Sequence, residues 1–161
     1  MTEETPHIRA CRAEDLGRII AITGEVFAAF AIDAKIEAML GPAAGASWLE
    51  IKADAIRSEI RANPAGCFVA EAGGEVVGYV TTTIHRAASR GVIANIAVSA
   101  RAQRGGIGRR LLHRALEHFR SIGLAQAKIE TLTCNPAGLH LYPSVGFREV
   151  ARQVHYVVPL A

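Results

Sequence analysis

The sequence predicts an α+β domain built on a mixed sheet, and three observations carry that expectation. Strand-like and helical-period runs follow one another in the order β-α-α-β-β-β-α-β-α-β-β, neither a strict βαβ alternation nor an all-β pattern. The chain has 161 residues, half of them apolar and a fifth charged, enough to bury one core without staples. No repeat, linker or shift in composition divides it, so a single domain is expected over residues 1–161.

Taken in order, HIRAC (7–11) alternates and predicts a first strand. From Glu14 the positions Leu16, Ile19, Ile20, Thr23, Val26, Phe27 and Phe30 recur at helical spacing, giving a helix to about residue 30. DAKIEAMLGPAAGA is ambiguous, a short helix running into a Gly/Pro/Ala loop. Ser47 with Glu50 forms a capping box, so a helix covers about 48–61 and Asn63-Pro64 stops it. CFVAEA and EVVGYVTTTIH are strands joined through Gly73-Gly74, a hairpin signal. VIANIAV is a buried strand, and residues 107–121 place Leu111, Leu112, Ala115, Leu116 and Phe119 on one helix face, with Gly123 as the stop. AKIETLT is the next strand. Asn135-Pro136 opens a short helix over about 136–142 or a little more, which Pro143 is expected to end or kink. FREVA and QVHYVV read as the last strands.

Composition narrows the function. The chain is too apolar for disorder, and no run approaches the ~20 residues that span a bilayer. The polar, acidic start MTEETPHIRA does not look like a secretory leader. Cys11, Cys67 and Cys134 show no metal-ligand spacing, so reduced thiols in a cytoplasmic protein and no metal are expected. The net charge of +3 hides a gradient: residues 1–75 carry −5, whereas residues 76–116 hold seven arginines and no acid. No aromatic lies between Tyr79 and Phe119, which argues against a base-stacking platform and hence against nucleic acid. A compact polyanion suits that basic block better.

The centre of the block is ARAQRGGIGRR (100–110), between a strand and a helix start. Gly105, Gly106 and Gly108 let the backbone turn sharply, and the first N–H groups of the following helix lack intrahelical acceptors. Together they could cradle a pyrophosphate, with Arg104, Arg109 and Arg110 at the rim. Taken alone, the glycines fit a plain solvated turn equally. A P-loop is excluded because GK[ST] is absent, and a dinucleotide fingerprint would need glycine where Leu111 stands.

IANIAVSARAQRGGIGRRLL (within about 92–112) resembles motif A of the GNAT superfamily of acyl-CoA N-acyltransferases, Q/R-x-x-G-x-G/A, through Gln103, Gly106 and Gly108. NPAGLHLYPSVGF (135–147) is similar to the second signature of that family through Asn135, Leu141, Tyr142, Gly146 and Phe147, with Gly138 where alanine is usual. The resemblance implies a mixed, mostly antiparallel central sheet flanked by about four helices, with splayed central strands. It implies acetyl-CoA as cofactor, its pyrophosphate on the amides of Gln103, Arg104, Gly105, Gly106, Ile107, Gly108 and Arg109. Its pantetheine arm would pair with Ile96, Ala97 and Val98 and meet Asn135.

Transfer of an acetyl group from a thioester to an amine needs a polarised carbonyl, a neutral amine, alignment, and a proton for the departing thiolate. Backbone N–H groups near Ala97-Val98 can polarise the carbonyl. By resemblance Tyr142 is the general acid, or a ring packed under the cofactor. For the base, Glu130 matches a catalytic glutamate of the subgroup that acetylates ribosomal-protein N-termini, or is an outward strand residue beside Lys128. Asn95 can hold a proton-accepting water, or settle a strand-end backbone group. Phe27, Phe30 and His85 are candidates for the acceptor pocket. The acidic first half favours a cationic acceptor, a small amine or a peptide N-terminus. A catalytically weak acyl-CoA-binding sensor on the same fold is the alternative. No membrane partner is expected, and the β-rich tail QVHYVVPLA could pair with a second copy in a homodimer.

Overall fold

The computed structural model describes residues 5–160. Five strands form one sheet in sequential order: β1 (His7–Ala10), β2 (Phe68–Ala72), β3 (Glu75–His85), β4 (Arg90–Val98) and β5 (Gln126–Ile129). The first three pairings are antiparallel and β4–β5 is parallel. Helices α1 (Leu16–Phe27), α2 (Ile32–Leu40) and α3 (Trp48–Ala62) come before β2, α4 (Ile107–Ser121) links β4 to β5, and α5 (Pro136–Val145) follows. The ambiguous DAKIEAML segment is thus a helix of its own, a fifth beyond the four expected.

Local signals act as their chemistry requires. The Ser47 hydroxyl accepts from the Glu50 N–H while the Glu50 carboxylate accepts from the Ser47 N–H, closing the capping box of α3. Gly73 and Gly74 both take positive φ in the β2–β3 hairpin, and Gly123 does so just after α4. The sheet has a core on each side. On one face Ile107, Leu111, Leu112, Ala115 and Phe119 of α4 cover Phe68, Val80 and Ile93. On the other, Ile19, Ile22 and Ile56 of α1 and α3 cover Val69, Tyr79 and Ala97. Each large aliphatic buried this way contributes about 1.5–3 kcal/mol.

Three expectations are corrected. β5 stops at Ile129, short of the predicted 133. The helix α5 continues past Pro143 to Val145. Pro143 withholds an N–H from the Leu139 carbonyl, but Leu139 is exposed and water can take the bond. The final turn closes through the left-handed Gly146, whose N–H reaches Pro143 O at 3.0 Å. Finally, residues 148–160 form no strand and are exposed. Val150, Val154, Tyr156, Val158 and Leu160 are exposed at largely alternate positions, yet a strand needs a partner edge and among the described residues none pairs with them.

Candidate active site

The register of the sheet creates an opening. β5 pairs with β4 only from Arg90↔Gln126 to Ile93↔Ile129, so among the described residues no strand pairs with β4 on that side from Ala94 onward. At the same point a bulge shifts the pairing with β3, which runs Thr82↔Ile93 and then Thr81↔Asn95. The Ser99 N–H bonds back to Val77 O at 2.8 Å. By strand alternation Ala97 also directs its backbone groups to β3, while Ile96 and Val98 direct theirs into the opening. Of the expected Ala97-Val98 pair, only Val98 can therefore donate there, and Ile96 joins it. The Val98 carbonyl is already engaged by Gln103 Nε2 at 2.9 Å, which fixes the start of the loop.

The opening leads to the head of α4. Arg104 and Gly106 both adopt left-handed backbone, φ 69° and 74°. Gly106 is the N-cap and brings no side-chain acceptor, and no acid sits in the first turn. The first intrahelical bond runs from Arg110 N–H to Gly106 O, so the N–H groups of Ile107, Gly108 and Arg109 have no acceptor within the helix. Gly108 lets Leu141 of α5 pack close, since a Cβ there would lie 3.2 Å from Leu141 Cδ2.

The arginines divide by role. Arg101 pairs with Glu75, and Arg109 donates to Ser144 O and Oγ, tying α4 to α5. Arg114 lies 4.2 Å above the Phe68 ring. Among the described residues Arg104, Arg109 and Arg110 form no ion pair, so all three keep their charge at the rim, Arg109 being also anchored to Ser144.

On the α4 face, Tyr142 packs against the core beside α4, as Ile96, Val98 and Ile129 also do, and its ring meets Phe147 edge-on at 6.3 Å. Burial pushes its phenol up to about 12, so it carries its proton at neutral pH. Asn135 caps α5, accepting from the Gly138 N–H at 3.3 Å and donating to Thr131 Oγ1 at 3.0 Å. Gly138 is needed here: a Cβ would sit 2.9 Å from Thr131 Oγ1, 3.0 Å from Asn135 Nδ2 and 3.1 Å from Tyr142 Cε2.

On the opposite face lies a polar cluster. Asn95 Nδ2 donates to Glu59 Oε2 at 2.7 Å and to Thr81 Oγ1 at 2.9 Å, and Thr81 Oγ1 donates to the same Glu59 oxygen at 2.7 Å. Asn95 is 3% exposed, and its Oδ1 is buried without a hydrogen-bond partner among the described residues. An orphaned carbonyl of this kind costs about 1–3 kcal/mol. Turning the amide over would set Oδ1 against the carboxylate, so Glu59 fixes its orientation. Burial holds the Glu59 carboxyl above the usual range, opposed by its bond from Thr81, the charge of Lys52 and its bond from Asn95.

The remaining candidates separate. Glu130 follows the end of β5, but it is exposed and paired with Lys128. Phe27 packs against the α1/α3 core, with Lys52 Nζ 5.5 Å from its ring centre. Phe30 is half-buried in the turn after α1. His85 is exposed opposite Arg90, about 13 Å along β3 from Thr81 and away from the opening. Glu59 was missed as a site residue. The available signal was a carboxylate three positions after Ile56 and one before Ile60, on the apolar face of its helix.

A model of the Acetyltransferase (GNAT) family matches residues 34–147. The chain belongs to that family. Over 85 residues it is 34% identical to the mycothiol acetyltransferase of Streptomyces avermitilis, a match covering 53% of this chain and 28% of that protein. Over 103 residues it is 33% identical to the N-alpha-acetyltransferase of Sulfurisphaera tokodaii, covering 57% and 62%. The chain thus aligns with less than two thirds of either relative's length. The PaiA N-acetyltransferase of Thermoplasma acidophilum, solved with coenzyme A, superposes with a TM-score of 0.72 at 19% identity, over 90% of this chain and 91% of that one. GNAT acetyltransferases use acetyl-CoA. The uncapped amides of α4, the left-handed loop before it and the free edge of β4 fit such a group: an anion cradle and an unpaired strand edge in one line. Gln103 enters that fit indirectly, since its side chain serves the loop.

Proposed function

We propose that this GNAT chain moves the acetyl group of acetyl-CoA to a primary amine by direct attack in a ternary complex. The observation that carries the proposal is the continuity of the site. The free edge of β4 runs from the amide cradle of α4 to the bulge at Ala94, with Tyr142 on one face and the Asn95 cluster on the other. Acetyl-CoA supplies the activated acyl group as a thioester. The chain binds its phosphates at the N–H groups of Ile107 to Arg109, aided by Arg104 and Arg110. The outward N–H groups of Ile96 and Val98 polarise the carbonyl, and Tyr142 returns a proton to the departing sulfur.

A cationic acceptor is supported by the net charge of −5 over residues 1–75, which build the α1/α3 side. The name of the S. tokodaii relative, an N-alpha-acetyltransferase, supports a peptide N-terminus as the acceptor, and a small amine is the other class the charge suits. The alternating apolar tail supports a homodimer, and the three free cysteines suit the cytoplasm. The test is thiol release and product mass with acetyl-CoA and a panel of spermidine, an alanyl tripeptide, glucosamine and kanamycin. Acetylated product with at least one amine is expected. Coenzyme A binding without any product refutes the enzyme and favours an acyl-CoA sensor.

A further inference from the structure

The two sides of the opening differ in chemistry. On the α4 face stands a protonated phenol, Tyr142, among apolar groups. On the α1/α3 face stands a carboxylate, Glu59, fixed by two donors from adjacent strands at the bulge itself. Asn95 offers a buried, unpartnered carbonyl oxygen beside that carboxylate. Glu59 is the part-exposed member of this cluster, so an amine entering from this face would find an acceptor for its proton there. The leaving sulfur would meet a donor on the other face. The geometry points to Glu59 as the general base of the transfer, with Thr81 and Asn95 as its positioning residues.

The inference rests on the N-acetyl transfer proposed above, and the proton balance follows from it. The acceptor ammonium gives one proton to Glu59, and the neutral amine forms a C–N bond to the acetyl carbon. As the C–S bond breaks, the nitrogen loses its second proton and the sulfur gains one from Tyr142, which recovers the proton shed by nitrogen. Glu59 then releases its proton to water. No other reactant is required.

The titratable groups facing Glu59 are Lys52 on its own helix, Tyr79 on β3 and Cys67 just before β2. Burial pushes the Cys67 thiol up to about 11 and the Tyr79 phenol above its ordinary value. Neither changes charge near neutral pH, so an acid limb in the enzyme's profile is assigned to Glu59.

The test is the pH dependence of kcat/KM for spermidine and for an alanyl tripeptide with E59Q and T81V. Wild type is expected to level off near neutral pH. E59Q is expected to lose at least ~100-fold at pH 7 with KM for acetyl-CoA unchanged. Its rate should then climb about tenfold per pH unit toward the pKa of the acceptor, and the loss should be larger for spermidine than for the less basic peptide amine. T81V removes a bond to the charged carboxylate, so its acid limb should move to higher pH, a readout that survives if E59Q folds poorly. A profile of E59Q that matches wild type, or a T81V limb that does not move, overturns the base while leaving the transferase intact. Absence of product from wild type with every amine overturns both.

Discussion

Gly91 is a sensitive point in the packing between sheet and helix. It sits in β4 at a negative φ, so its glycine is required by space and not by backbone conformation. A Cβ added there would lie 2.5 Å from three carbons of the Phe119 ring, where ordinary contact begins near 3.4 Å. The ring would have to retreat by about 1 Å, yet Phe119 is 3% exposed and held within the α4 core. Overpacking of this kind costs about 1–3 kcal/mol, and in a chain of this size each kcal/mol lowers Tm by about 2–4 °C. G91A should therefore melt about 2–12 °C below wild type and lose a matching amount in urea denaturation. F119L in the G91A background should recover part of the loss, although F119L alone is destabilising, giving a favourable coupling in the double-mutant cycle. Coenzyme A affinity should hold, because the head of α4 lies about 18 Å along the helix from Phe119. A urea midpoint for G91A equal to that of wild type would refute the reasoning, since it would mean that α4 does not press on β4.

Three further outcomes are expected. G106A forces a side chain into a left-handed N-cap at about 1–2 kcal/mol, and calorimetry should show weakened coenzyme A binding. Y142F should lower kcat by about 10²–10⁴ while KM for acetyl-CoA stays within twofold; an unchanged kcat would reduce Tyr142 to a packing residue. The third concerns Asp15, 5% exposed, which accepts from Arg9 at 2.7 and 2.9 Å and has a carboxyl held below the usual range, chiefly by that bond. A depressed folded value gives stability that is present above the unfolded pKa of about 3.9 and lost as pH falls through the folded value. D15N should thus lose about 1–3 kcal/mol at pH 7, and its urea midpoint should converge on that of wild type in acid.

The fold was legible wherever a local signal coincided with its tertiary role. The Ser47–Glu50 capping box, the Gly73-Gly74 hairpin and the apolar face of residues 107–121 each operate within a few residues, and each appears where the sequence places it. Signals that depended on a distant partner failed. QVHYVV has the composition of a strand, but a strand exists only against an edge, and composition does not name the edge. Pro143 should break a helix interior, but the break costs less at an exposed residue such as Leu139, where water can take the orphaned bond. His85 lay on a suitable strand, but its distance from the opening depended on a register set by the bulge.

By itself the sequence placed glycines at 105, 106 and 108 around the start of a helix with no side-chain cap, and motif A together with the signature at 135–147 pointed to the family. Both are contiguous stretches, so they can be read without knowing what the fold packs beside them. Tertiary structure alone decided which arginines are free, which backbone groups face the opening and which carboxylate meets it. Glu59 and Asn95 are 36 residues apart, on a helix and a strand, and touch only because α3 crosses the sheet at the bulge. A side chain's pairing and protonation depend on what the fold brings within 3 Å of it, and spacing along the chain does not carry that information.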